Sequence, residues 1–166
     1  MKRDNWISIV FILTFILSFI FSALSSLASN INVFILLGVL IIIIIIGIIF
    51  DMIGVAVLSC DEKAFHAKAA NKIKGSKECI KLIKQANKTS SICNDVIGDI
   101  CGIISGSVVT SLIVILLKDN NWALIFLTAV VSSLTVGGKA IGKKVAIKHS
   151  NDIVFIVGKI LNKLHI

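Results

Sequence analysis

The chain has 166 residues, of which 57% are apolar, 16% charged and none proline, and its mean hydropathy is +1.01, whereas soluble domains are about 45–50% apolar. That composition excludes an ordinary soluble globular fold, and apolar runs such as the six isoleucines Ile41–Ile46 lack the alternation of a membrane β-barrel, leaving a helical integral membrane protein. The 17 basic and 9 acidic residues give a net charge of +8, which in such a protein reports orientation before it reports a partner and does not call for nucleic acid.

Four segments are long and apolar enough to cross a hydrocarbon core about 30 Å thick. The first, Trp6–Ala28, follows Lys2 and Arg3 as a signal peptide would. Its run is longer than a signal core and its cleavage pattern is weak, so it is expected to be retained as an additional helix in residues 1–30. The other three spans are expected at 31–59, 91–117 and 121–137. The turns at Ser29-Asn30 and Lys118–Asn121 carry no net charge. The connection 60–90 holds eight lysines and the tail 138–166 six, so the positive-inside rule places both, and both termini, on the cytoplasmic side of the cell membrane.

Within 60–90, Ala64, Phe65, Ala67 and Ala69 open one helical pattern, Gly75 breaks it, and Cys79, Ile80, Leu82, Ile83 and Ala86 form a second. A cytoplasmic helical hairpin follows from that spacing. In the tail, Gly137, Gly138 and Gly142 are expected to end the fourth span or to form a hinge. Ser150 reads as an N-cap for a surface-lying amphipathic helix carrying Ile153, Ile156, Val157, Ile160, Leu161 and Leu164 on one face. The expected fold is thus all-α: a polytopic membrane protein with four transmembrane helices, a cytoplasmic hairpin and a C-terminal amphipathic helix.

Asp51 interrupts the second span, and Asp95 and Asp99 the third. A charged side chain near a helix centre costs about 2.5–3.5 kcal/mol even on insertion scales, so it needs a partner, a water-filled cavity or an ion. Asp51 lies eight residues before Ser59 and Asp99 eight after Ser91, placing the two at a similar depth of about 12 Å. Asp95 and Asp99 stand at i and i+4, with Asn94 beside their face. Hard divalent cations take oxygen ligands, and Asp51, Asn94, Asp95 and Asp99 are the candidate metal set. The alternatives are a hydrated Asp95 with Asp51 or Asp99 protonated or paired with a lysine such as Lys139, or a proton relay.

Gly98, Gly102 and Gly106 repeat every four residues and suit close helix contact, within one chain or across a dimer. The cysteines at 60, 79, 93 and 101 form no CxxC pair and read as reduced packing residues. No catalytic set is found: His66, His149 and His165 all lie outside the spans, so no enzyme is expected.

From Phe50 onward the chain resembles the transmembrane domain of the cyclin M / CorC family of magnesium transporters, over roughly Asn32 to Leu164. Phe50-Asp51-Met52-Ile53-Gly54-Val55-Ala56-Val57-Leu58-Ser59 stands where that family has F-S-x-x-E-x-A, followed by the lysine-rich hairpin through Gly75 and Ala86. Val96-Ile97-Gly98-Asp99 stands where it has I-G-N, and Gly138-Lys139-Ala140-Ile141-Gly142-Lys143 where it has G-E-x-x-P-K. The resemblance implies a domain over 31–166, dimeric, in which polar groups of three helices surround a magnesium ion reached from the cytoplasm. Family Ser, Glu and Asn correspond here to Asp51, Gly54 and Asp99, and a later Glu and Pro to Lys139 and Gly142. The nucleotide-binding and C-terminal regulatory domains usual in the family have no counterpart before Ile166.

These readings lead to a divalent cation, magnesium by the resemblance, bound or moved across the bilayer by a homodimer. A non-transporting scaffold acting with another membrane protein is the main alternative, and a holin-like pore former the third.

Overall fold

The structure is a computed structural model that describes residues 3–26, 32–117 and 121–164. It is 92% helical, without strands among the described residues, as the composition requires. The helices in chain order are α1 (Arg3–Ser26), α2 (Val33–Ser59), α3 (Glu62–Ala70), α4 (Ser76–Lys84), α5 (Ala86–Ser91), a π-helical turn (Ile92–Gly98), α6 (Asp99–Leu117), α7 (Asn121–Lys148) and α8 (Ser150–Lys163). Among the described residues three stretches, Val33–Ser59, Ala86–Ile113 and Ile125–Lys148, are long and apolar enough to span a membrane. In α1 the apolar stretch Ser8–Ile20 is shorter. The two expected outside turns, at 29–30 and 118–120, lie outside the described residues, as does His165.

The chain divides into two compact units, each built from helix segments distant in sequence: residues 1–48 with 96–138, and 49–95 with 139–166. In the first unit α1 packs on α6. Its core is one face of the third span, Val96, Ile100, Ile104, Val108 and Leu112 at successive i+4 positions, closed by Leu36 and Leu40 of α2. The remaining faces of α2, including Phe34, Ile41, Ile42, Ile45 and Ile46, are exposed, which is the all-round apolar surface of a helix whose solvent is lipid. Hydroxyls in these helices bond back to their own backbone, Thr14 to the Val10 carbonyl at 2.8 Å, Thr110 to Gly106 at 3.0 Å and Thr135 to Val131 at 2.8 Å. Each such bond satisfies a polar group where no water can.

In the second unit α4 packs on α3 and on α8, around Ala56, Val57, Phe65, Cys79, Ala146 and Val154. Asp61 caps α3 by accepting from the Lys63 N–H at 3.0 Å, which satisfies an orphan donor of the first turn. The turn into α4 contains Lys72 (φ +55°) and Gly75 (φ +90°), the latter directly before the first residue of α4. A side chain at Gly75 would also meet the Lys159 backbone nitrogen at 2.9 Å, and one at Gly158 would overlap the Cys79 sulfur and meet the Gly75 oxygen at 2.7 Å. The α4–α8 crossing is therefore a backbone-to-backbone approach that only glycine permits. Cys79 donates to the Val154 carbonyl across it at 3.3 Å, and all four cysteines are free thiols.

Two expectations are corrected. The glycines at 137, 138 and 142 do not break the last span, since α7 continues to Lys148, eleven residues past 137. None has a positive φ, and Gly138 instead admits the Ile48 side chain against the helix backbone. Ser150 is the first residue of α8 rather than its side-chain cap, and its hydroxyl donates to the Ser59 carbonyl at 3.3 Å. The buried face of α8 is Val154 and Gly158, while Ile156, Ile160 and Leu164 are exposed. The glycine selects the packed face by letting α4 approach.

Candidate polar site in the second unit

Asp51 sits on α2, one helical turn before Gly54, and is 3% exposed. Gly54 is buried because the side chain of Asn94 occupies the space where its Cβ would stand, with Asn94 Oδ1 the atom that would overlap it. Residues three apart on a helix share a face, so Asp51 lies on the side of α2 against which Asn94 packs at Gly54. Asn94 is presented by the π-helical turn, a local widening of the helix that often marks functional positions. Its amide donates to Ser90 Oγ at 3.2 Å, one turn earlier.

That bond uses the NH₂ end of Asn94 and leaves its oxygen unpartnered. Asn94 Oδ1 and Asp51 Oδ2 are both buried without a hydrogen-bond donor. Lys143 of α7 brings its ammonium to 3.5 Å from Asp51 Oδ2, inside ion-pair range but outside hydrogen-bond geometry. The lysine side chain is half exposed and the aspartate almost fully buried. Buried acceptors without donors are costly, because their lone pairs have lost water and gained nothing in return. The arrangement supplies oxygen lone pairs from a carboxylate and an amide, which is what a hard cation takes.

Of the four residues read from the sequence as a metal set, this unit thus brings Asp51 and Asn94 to one face of α2. Asp95 follows Asn94 on the π turn and is exposed. Asp99 opens α6, is exposed, and belongs to the first unit. Among the described residues no three or more His, Cys, Asp or Glu side chains cluster as a metal group. A metal site here would have to use mixed oxygen donors rather than a cluster of acids. Sequence reasoning missed Ser90 and Lys143. The signal for Lys143 was its spacing of four from Lys139, which puts both on one side of a helix that was expected to end before them.

With this geometry in place, residues 36–166 match the family of the cyclin M transmembrane N-terminal domain. The chain belongs to that family. The match begins within α2 and leaves α1 outside it. No curated protein and no solved structure matches the chain at a significant level. The cyclin M domain is associated with divalent cation transport and not with a known enzyme class, and with the apolar helices it makes this a multi-pass membrane protein. The match spans every residue of the Asp51, Ser90, Asn94 and Lys143 arrangement.

Outside the spans the shifted thiols have physical causes. Burial pushes the Cys79 thiol up to about 11, and burial also raises that of Cys60 at the end of α2. Glu78 is held below the usual carboxylate range, first by its own backbone N–H and then by Asn162 of α8, whose amide lies at 3.2 Å.

Proposed function

We propose that the protein binds a divalent cation, magnesium, at Asp51 and Asn94 and moves it across the bilayer. The observation that carries the reading is the pair of buried oxygens, Asp51 Oδ2 and Asn94 Oδ1, left without donors on one face of α2. Water lost from these atoms would be replaced by an ion that needs oxygen ligands and tolerates a partly hydrated shell. Asp95, next to Asn94 on the π turn, is the second acid of the proposal. Asp99 enters it through the sequence alone.

The lysine-rich connection and tail support four crossings with both termini on the cytoplasmic side. Gly102 and Gly106 support a homodimer: beyond the adjoining stretch of the same helix, no described atom comes within 4 Å of where a Cβ would stand at either position, so the close contact expected of that stripe is not made there by the described residues of one chain.

Magnesium uptake into proteoliposomes, followed with an enclosed indicator, tests the reading. Wild-type protein is expected to carry magnesium, and Asp51→Asn and Asn94→Ala to lose most of the flux, with Asp95→Asn and Asp99→Asn measured beside them. Unchanged flux in both Asp51→Asn and Asn94→Ala would overturn it.

A second reading, a membrane scaffold that carries no ion, is favoured by one observation, the Lys143–Asp51 ion pair. It predicts no flux, no response to any divalent cation, and a stable co-purifying membrane partner.

A further inference from the structure

We propose that Lys143 is a tethered competitor for the cation: its ammonium compensates Asp51 when the site is empty and is displaced when a divalent ion enters. This rests on the cation reading of the Asp51–Asn94 site given above.

Three features of the pair argue for exchange over a permanent bridge. The first is incompleteness. An ammonium has three donors, yet Lys143 satisfies neither Asp51 Oδ2 nor Asn94 Oδ1 with a hydrogen bond, although it stands 3.5 Å from the former. It supplies charge without supplying the directed contacts that a settled buried pair requires.

The second is asymmetry of burial. Asp51 is fixed inside the unit, whereas half of the Lys143 side-chain surface is exposed. On α7 the flanking Gly142 and Ala146 are buried, Ala146 completely. The helix backbone is therefore held while the lysine stem lies at the margin of the packed face. Its head can leave by rotation about side-chain bonds, with no movement of α7.

The third is the nature of the vacancy that departure creates. Removing the ammonium leaves a buried carboxylate oxygen on α2, one turn before the glycine against which a buried amide oxygen packs, both acceptors, with no described donor directed at either. A sodium ion would restore only the charge the lysine took away. A divalent ion brings twice that charge and stronger demand for oxygen, so the tether sets a threshold that favours divalent over monovalent ions.

The test uses the full chain purified in detergent, with thermal unfolding followed against magnesium chloride at ionic strength matched by sodium chloride. Ligand binding to the folded state stabilises it by RT ln(1 + [L]/Kd), so the unfolding midpoint begins to climb as magnesium passes Kd, and the half-response is the magnesium concentration equal to the Kd fitted from that rise. Lys143→Met removes the competitor. It is expected to unfold at lower temperature than wild type without magnesium, to recover as magnesium is added, and to reach half its response at a magnesium concentration at least tenfold lower, a gain of about 1.4 kcal/mol. Lys143→Arg keeps the charge and offers a fork that binds carboxylates at two points, so its half-response is expected at higher magnesium than wild type.

A wild-type response with an unchanged or higher half-response in Lys143→Met would overturn the tether and leave the cation site standing. No response in wild type or in Lys143→Met would overturn the site and the tether together. If Lys143→Met does not fold, Lys143→Arg decides: a half-response equal to or below that of wild type overturns the proposal.

Discussion

In the first unit the hydroxyls of Thr14, Ser107, Thr110, Ser111 and Thr135 each donate to a carbonyl four residues back on their own helix. In the second, Asp51 Oδ2 on α2 and Asn94 Oδ1 packed against that helix are buried without a hydrogen bond. Both units bury polar atoms, but among the described residues the first leaves only the buried Ser18 hydroxyl without a hydrogen-bond partner, against Asp51 Oδ2, Ser76 Oγ and Asn94 Oδ1 in the second. A hydroxyl can rotate to a carbonyl of its own helix, whereas a carboxylate has nothing to donate and must be met by something else. The contrast locates the unfinished chemistry of the molecule in the second unit.

The units also use glycine differently, and substitutions there give the largest expected effects. Gly158→Val would drive a branched side chain into the Cys79 sulfur and the Gly75 carbonyl. Overpacking of this kind costs about 3 kcal/mol or more when the obstacle is backbone. The variant is expected to lose the α4–α8 contact, seen as a large fall in unfolding midpoint and faster proteolysis within 60–90. A midpoint close to wild type would mean that the crossing is looser than the structure has it.

The same crossing makes a kinetic prediction. With the Cys79 thiol pushed up from 9.0 to about 11 by burial, its thiolate fraction near neutral pH is about a hundredfold below that of an ordinary thiol, and the thiolate is the reacting form. Maleimide labelling at pH 7.5 is expected to modify half-buried Cys60 before Cys79. Gly158→Val should remove the protection at Cys79, which links the two measurements.

Gly54 and Gly102 form the sharper pair. Alanine at 54 would displace Asn94 Oδ1. It is expected to cost about 1–3 kcal/mol and to abolish the magnesium response. Alanine at 102 meets no described atom and should gain up to about 1 kcal/mol from helix propensity. A marked loss in Gly102→Ala, with dissociation on size-exclusion chromatography, would show that a second copy covers that stripe.

Much of this architecture was legible in the residues. The apolar runs, the break at Gly75 and the lysine distribution carry the helices and their order, because burial in lipid demands unbroken backbone hydrogen bonding. Asp51 stood out by its cost in that environment. What stayed hidden depends on packing between helices. The role of Gly54 is defined by Asn94, forty residues away in the chain. The π turn replaces a pattern that reads as plain α-helix, and α7 continues through glycines because Gly138 lies against Ile48. Local propensity marks those glycines as breakers, and tertiary contact makes them spacers.

The smallest expected effect concerns the contact that joins α4 to α8 at its polar edge. Glu78 is held below its ordinary value of 4.5 by its own backbone N–H and by Asn162. A carboxyl group with a depressed folded-state pKa contributes stability above the unfolded value, and loses it as pH falls through the folded value. Wild type is therefore expected to exceed Glu78→Gln in unfolding midpoint at pH 7, with the difference shrinking below pH 4.5 and vanishing in stronger acid. Because the carboxylate is open to solvent, salt should narrow the gap at pH 7 as well. An Asn162→Ala variant that removes only part of the gap would agree with the backbone N–H being the larger cause. Removal of the whole gap would assign the effect to the α4–α8 bond, and would make this edge part of the crossing that Gly158 permits.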